Sequence, residues 1–177
     1  MIETHPFPSF VPPGAKYLIL GSFAAKQSVK GRLTTDDNYD FYYGVKRNQF
    51  WPILEEVYGR ELKNTEERKK LLSDYRIGIT DIIYQCEREK GSSLDANLKN
   101  IVYAKEEITR ILEENQISEI FFTSRYVENK FRSNFKNIIS KYYRIDLVTL
   151  PSPSSRYVRI TKEQKIKRYK ETLPQLA

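Results

Sequence analysis

The sequence predicts an α/β protein: a three-layer α/β/α sandwich with a central, mainly parallel sheet of about four strands. Short apolar runs alternate with amphipathic stretches in the order strand, helices, strand, helix, strand, helix, strand, helix. The runs are nearly continuous in apolar character, as expected of strands covered on both faces. At 177 residues and 40% hydrophobic content, the chain is long enough for one domain, 1–177, to bury a core without disulfide or metal.

Pro6, Pro8, Pro12, Pro13 and Gly14 make the first fourteen residues an extended, turning lead-in. Tyr17-Leu18-Ile19-Leu20 follows and stops at Gly21-Ser22, which fits a short buried strand. Residues 24–47 show neither helical nor strand period, and a loop of that length in a compact domain points to function. Phe50, Ile53, Leu54, Val57 and Tyr58 have helical spacing, with Gly59 as the stop. Asn64 and Glu67 look like a capping pair for a second helix through Leu71 and Leu72. Residues 77–83 form the next apolar run, and a polar loop around Gly91 follows. Ile101, Ala104, Ile108, Ile111 and Leu112 then predict a helix. Glu119 to Thr123 is strand-like, and Val127, Phe131, Phe135, Ile138 and Ile139 mark the helix after it. The last strand, Ile145 to Leu150, is halted by Pro151 and Pro153, and Thr161 with Gln164 caps a closing helix carrying Ile166, Tyr169 and Leu173.

Composition removes several kinds of chemistry. A single cysteine, Cys86, excludes an internal disulfide framework and a cysteine-rich zinc site. With one histidine, His5, any metal site or Ser-His-Asp machinery would rest on that residue. No apolar run reaches the ~18 residues of a membrane span, and the first residues do not resemble a signal peptide. The expectation is a soluble, cytoplasmic domain, nucleoid-associated if the source is prokaryotic. The formal charge of +7 is concentrated late: residues 125–177 hold 13 Lys/Arg against 4 Asp/Glu. Either this is one face shaped for a polyanion or it is a set of solvated helix faces.

In parallel sheets ligands sit outside the carboxyl ends of the strands. Those ends are Gly21-Ser22-Phe23, Asp81 to Cys86, Thr123-Ser124 and Leu150 to Ser155. Three stretches stand out there. Tyr39 to Trp51 sets aromatics beside Lys46, Arg47 and Asn48, a combination able to stack on a planar base and hydrogen-bond its edge. Phe50 and Trp51 read as core, whereas Tyr42 and Tyr43 precede the helix stripe, and Asn48 is either chemical or a helix cap. Leu150 to Tyr157 is a stiff turn of prolines and hydroxyls suited to a phosphodiester backbone, with Arg156 and Arg159 adding charge, or else a plain connection. Cys86 to Asp95 is a mixed-charge loop, with Cys86 more a small buried hydrophobe than a nucleophile.

In order, these pieces resemble the uracil-DNA glycosylase superfamily, closest to its hypoxanthine-DNA glycosylase-like branch, which is related to the mismatch-specific enzymes. That branch pairs Gly-Ser-Met-Pro-Gly at the end of its first strand with a later Tyr-Tyr-Ala-His-Pro-Arg-Asn-Ala-Phe-Trp. Here the matching stretches are Gly21-Ser22-Phe23-Ala24-Ala25 and Tyr42 to Trp51. Asp81-Ile82-Ile83, Cys86-Glu87-Arg88 and Ser93-Leu94-Asp95 echo its middle segment, and Leu150 to Ser154 its Leu-Pro-Ser-Thr-Ser. The similarity spans roughly residues 6–173. It departs from the branch at Ala24-Ala25, where Pro-Gly is usual, and at Val45-Lys46, where His-Pro is usual. Residues 26–38 are additional.

The resemblance implies a monofunctional DNA glycosylase of base-excision repair, hydrolysing the N-glycosidic bond of a flipped deaminated base, hypoxanthine or uracil, with no metal or organic cofactor. By the same resemblance Asn48 is the catalytic residue. Tyr43 stacks on the base, and Ser22 and Phe23 bind it through backbone N–H groups. Ser152, Ser154 and Ser155 grip phosphates, and Arg156 or Tyr157 props the vacated stack. The partner is DNA carrying a damaged base, bound by a monomer. The other readings are a non-catalytic nucleic-acid-binding protein on the same fold and a small-molecule hydrolase or nucleotide-binding protein.

Overall fold

The computed structural model describes residues 1–26, 40–89 and 94–175. In chain order the described strands are β1 (Ile2–Thr4), β2 (Tyr17–Gly21), β3 (Ile77–Asp81), β4 (Ile83–Arg88), β5 (Leu98–Tyr103), β6 (Glu119–Phe122) and β7 (Asp146–Thr149). The helices are α1 (Phe50–Tyr58), α2 (Thr65–Asp74), α3 (Lys105–Glu114), α4 (Arg125–Asn134), α5 (Lys136–Lys141) and α6 (Lys162–Thr172).

The predicted sheet is present, with four strands in the order β3-β2-β6-β7, all parallel. Side-chain alternation divides it into two faces, because neighbouring residues of a strand point to opposite sides. Ile19, Ile79 and Phe121 enter one core with Ile53 and Leu54 of α1, Leu71 and Leu72 of α2, and Tyr169 of α6. Leu18, Leu20, Ile120 and Phe122 enter the other with Ile108 and Ile111 of α3 and Val127 and Phe131 of α4. Helices therefore cover both faces, giving three layers. The register sets Gly21 beside Asp81 and Phe122 beside Thr149, so the carboxyl ends of all four strands lie on one rim.

Local signals explain the element boundaries. Gly59 ends α1 at φ 62°, its N–H donating to the Glu55 carbonyl, a left-handed stop that glycine adopts without a Cβ clash. Asn64 accepts from the Glu67 N–H at 2.9 Å to open α2. Thr161 and Gln164 form the reciprocal capping box of α6. The predicted helix from Val127 to Ile139 is instead two helices meeting at Phe135, whose ring stacks on Phe131 at 4.7 Å.

The larger difference is a second sheet. The lead-in, read as extended and turning, contributes β1, and the stretches around the supposed polar loop contribute β4 and β5, in an antiparallel sheet ordered β1-β4-β5. The apolar run 77–83 breaks at Ile82, where the chain leaves the parallel sheet for this one. Ile101 lies in β5, and the helix begins only after Ala104. Phe10 also bridges Ile79 on the outer edge of β3, closing part of that edge to other chains. Most of the long loop from 24 to 47, residues 27–39, lies outside the described residues, as do residues 90–93 with Gly91 and Ser93.

Candidate active site at the carboxyl rim of the sheet

Strand polarity and register place four segments together at one end of the parallel sheet, and between them lies a cavity of about 480 Å³. That is within the usual range for small-ligand sites. All nine residues singled out from the sequence line it: Ser22, Phe23, Tyr43, Asn48, Ser152, Ser154, Ser155, Arg156 and Tyr157.

The Ser22–Phe23 corner leaves β2 at the centre of the sheet. The amide N–H groups of Ser22 and Phe23 take no acceptor among the described residues, while the Ser22 carbonyl accepts from Ile83. Phe23 is fixed from behind: His5 meets it edge-on at 5.5 Å and the Arg88 guanidinium lies 5.6 Å from its ring centre. Arg88 also donates to the Ala24 carbonyl at 2.9 Å and pairs with Glu3 at 3.1 Å. Its largely buried charge is thus compensated by strand β1, and it holds the segment where Ala24-Ala25 replaces Pro-Gly.

Tyr43 sits at φ 57°, a left-handed conformation that costs a residue with a Cβ roughly 1 kcal/mol or more. The strain is offset by packing: one ring face stacks on Phe50 at 4.3 Å, and the hydroxyl donates to Thr123 Oγ1 at 3.1 Å. Burial pushes the phenol well above its ordinary pKa, so it stays protonated and remains a donor. The ring runs close over β2. A Cβ at Gly21 would collide with the Tyr43 hydroxyl and with the Asp81 carboxylate, which explains why glycine ends that strand.

Asn48 is not the N-cap of α1, which is Gln49 without a side-chain cap bond; one residue earlier, it serves as acceptor for the first helical N–H and as a free donor. Its Oδ1 accepts the Phe50 N–H at 2.9 Å, which fixes the amide orientation, since only the oxygen accepts. The carboxamide nitrogen then has no acceptor among the described residues, and the side chain lines the cavity. Asn48 bridges Ser154 through the backbone, and Gln49 N–H donates to the Pro153 carbonyl at 2.8 Å, tying the two motifs directly to each other.

The Ser152–Tyr157 turn is built from hydroxyl–amide bonds: Ser154 N–H to Ser152 Oγ and Arg156 N–H to Ser154 Oγ, both at 3.2 Å. Beneath it Lys165, only 1% exposed, donates to Gln49 Oε1 at 2.9 Å and to the Ser154 carbonyl at 3.0 Å. Its ammonium also lies 5.4 Å from the Tyr157 ring centre. Ser155 and Arg156 are exposed at the cavity mouth.

Several polar residues on this cavity were not predicted as site residues, and four of them, Asp81, Arg88, Asp95 and Thr123, sit in its hydrogen-bond network. Asp81, buried at the end of β3, is bonded to His5 Nε2 at 2.6 Å. Asp95, in the 3₁₀ turn Asp95–Asn97, receives the Ser22 hydroxyl at 2.8 Å. Thr123 and Arg88 complete the set. Asp81, Arg88 and Asp95 do fall in stretches that echo the family's middle motif, which was the available signal. His5 had none beyond being the single histidine. Among the described residues no group of three His, Cys, Asp or Glu comes together to hold a metal, and no helix is long and apolar enough to cross a membrane.

No family model matches the chain. Over 85 residues it is 31% identical to a hypoxanthine DNA glycosylase of Methanosarcina acetivorans, a match covering 47% of this chain and 49% of that protein. The chain thus spans about half the length of this curated relative. A solution NMR structure from the same organism, of a protein described as a candidate uracil DNA glycosylase, matches with a TM-score of 0.66 and 20% identity. That match covers 97% of this chain and 98% of the other, a likeness of fold. The first likeness agrees, over about half of each chain, with the resemblance to the hypoxanthine-DNA glycosylase-like branch, and the second with the fold that the resemblance implied.

Proposed function

We propose that this chain is a monofunctional DNA glycosylase of base-excision repair, removing a deaminated base that has been turned out of DNA. The observation that carries the reading is the convergence of all nine motif residues on one cavity, with Arg156 of the cationic C-terminal third on its lining. Its similarity to a relative named for hypoxanthine supports a deaminated base as substrate.

Breaking the N-glycosidic bond leaves positive charge on the sugar and electrons on the departing base, so catalysis consists largely of stabilising that separation. The base enters after leaving the stack, at a cost of a few kcal/mol. The Tyr43 ring, backed by Phe50, offers it a face. The Ser22 and Phe23 amides donate to a base carbonyl. Asn48, with its oxygen accepting the Phe50 N–H, acts through its amide nitrogen, donating to the base or holding the attacking water by its oxygen. Ser152, Ser154 and Ser155 bind phosphates through hydroxyl and amide groups, with Arg156 adding charge and Tyr157 filling the vacated stack. These residues work within a monomer and need no cofactor.

An oligonucleotide with one inosine or one uracil, incubated with the protein and then treated with alkali, tests this. Strand cleavage at the modified position is expected. A gel shift without cleavage would show a binding protein on this fold and overturn the enzymatic reading.

A further inference from the structure

Asp95 has no part in the reading above, yet it lines the same cavity. The Ser22 hydroxyl occupies one of its oxygens, and the other has no hydrogen-bond partner among the described residues. Accepting this inference requires the glycosylase reading to hold, since it concerns the base in that site. We propose that Asp95, as the neutral carboxylic acid, donates its proton to a ring nitrogen of a flipped purine as the base departs, which makes the pocket selective for a deaminated purine.

The chemistry discriminates between base classes. A purine carries lone-pair nitrogens in its rings that accept a proton; uracil joined to sugar has none and must leave as an anion. In the step itself, the C1′–N9 bond breaks with its electron pair moving into the purine. The Asp95 proton moves to the ring nitrogen, and water adds to C1′ and releases its own proton to solvent. Free base and an abasic sugar result, and Asp95 recovers a proton from solvent.

The surroundings favour the neutral acid at the start. Burial is the main cause, pushing the Asp95 carboxyl up to about 6, and the Asp81 charge at the end of β3 adds to it. The Ser22 bond and the Arg88 cation on β4 act against this rise, but Arg88 is bonded to Glu3 and Ala24. The remaining titratable groups that couple to it, Tyr43, Tyr126 at the start of α4 and Cys86 on β4, are all pushed upward and remain uncharged near neutral pH.

The test is single-turnover excision from oligonucleotides carrying one inosine or one fluorouracil, whose anion leaves without protonation. For the wild-type protein, inosine excision is expected to fall about tenfold per pH unit above pH ~6 while fluorouracil excision does not. Asp95→Asn keeps the Ser22 bond and the side-chain shape. It is expected to slow inosine excision about 100-fold and abolish that pH dependence, with fluorouracil excision within about threefold. An inosine rate that stays flat from about pH 5 to 8 in the wild-type protein would overturn the proposal without any variant. Equal loss on both substrates, or unchanged inosine excision by Asp95→Asn, would also overturn it. If the wild-type protein removes fluorouracil but not inosine, the purine assignment falls and the glycosylase reading stands. If it removes neither, both fall.

Discussion

Gly21 and Asn48 each do two jobs, and both can be separated by substitution. At Gly21 the absent Cβ leaves the space taken by the Tyr43 hydroxyl and the Asp81 carboxylate. Gly21→Ala is expected to destabilise the protein by about 2 kcal/mol through overpacking, with loss of excision because Tyr43 moves; thermal melting and a cleavage assay check this. At Asn48, the oxygen bonded to the Phe50 N–H and the free amide nitrogen are different atoms. Asn48→Ala is expected to lose about 1 kcal/mol of stability together with about 100-fold or more in excision. Asn48→Asp is expected to recover the stability but not the excision, because it keeps the acceptor and lacks the donor. Recovery of both by Asp would assign the acceptor role alone. Asp95 gives a pH-dependent case. Its native pKa lies above its unfolded one, so no stability is lost below about pH 4, where both states are protonated. As pH rises from about 4 through about 6 the unfolded chain releases the proton first and native stability falls. Asp95→Asn is therefore expected to melt higher than wild type at pH 7.5, by at most about 3 kcal/mol, and equally at about pH 3.

At the scale of elements, the Ser152–Tyr157 turn depends on α6. Lys165 sends a buried ammonium between Gln49 and the Ser154 carbonyl, so the first turn of the closing helix positions the hydroxyls proposed to bind phosphate without lining the cavity itself. Lys165→Met leaves two carbonyl acceptors unpaired and is expected to cost about 2 kcal/mol. Weaker DNA binding at an unchanged salt slope would accompany it. Arg156→Ala, at the exposed end of the same turn, is expected to act oppositely, reducing the salt slope by about one with little change in melting temperature. Measuring affinity against salt for both variants distinguishes the positioning lysine from the contacting arginine. Strand β1 plays a comparable supporting role: Glu3 neutralises Arg88, and Arg88 holds Ala24 and the Phe23 ring.

For the whole molecule, the asymmetric charge predicts that the proposed DNA binding is electrostatically driven. If about three phosphates are engaged around the cavity mouth, affinity is expected to fall tens of fold between about 50 and 200 mM salt. A flat dependence would exclude the cationic flank as the DNA face. The parallel sheet, its flanking helices and their caps were legible in the sequence because their signals are local: continuous apolar runs, helical spacing, Thr161 with Gln164, Gly59. The Ser22–Phe23 and Ser152–Tyr157 stretches were legible because the carboxyl ends of parallel strands are where sites form, whereas Tyr43 and Asn48 were singled out by the motif resemblance. The antiparallel sheet was not. Strand β1 has three residues, and β4 and β5 mix charged and half-exposed positions, so they carry no periodic hydrophobic pattern. Pairing across more than eighty positions, as between Glu3 and Cys86, leaves no trace in either segment alone.

By itself the amino-acid order determined the layering and the rim on which a ligand would sit, since strand direction and local periodicity are written in neighbouring residues, while the nine side chains were picked out by the order of the motifs they share with the resembled family. Only the tertiary structure decided that Arg88 and Asp95 join them, with His5 bonded to Asp81 behind the cavity. Their places come from contacts between segments far apart in the chain, and the burial that raises Asp95 exists only once those segments have closed around the cavity.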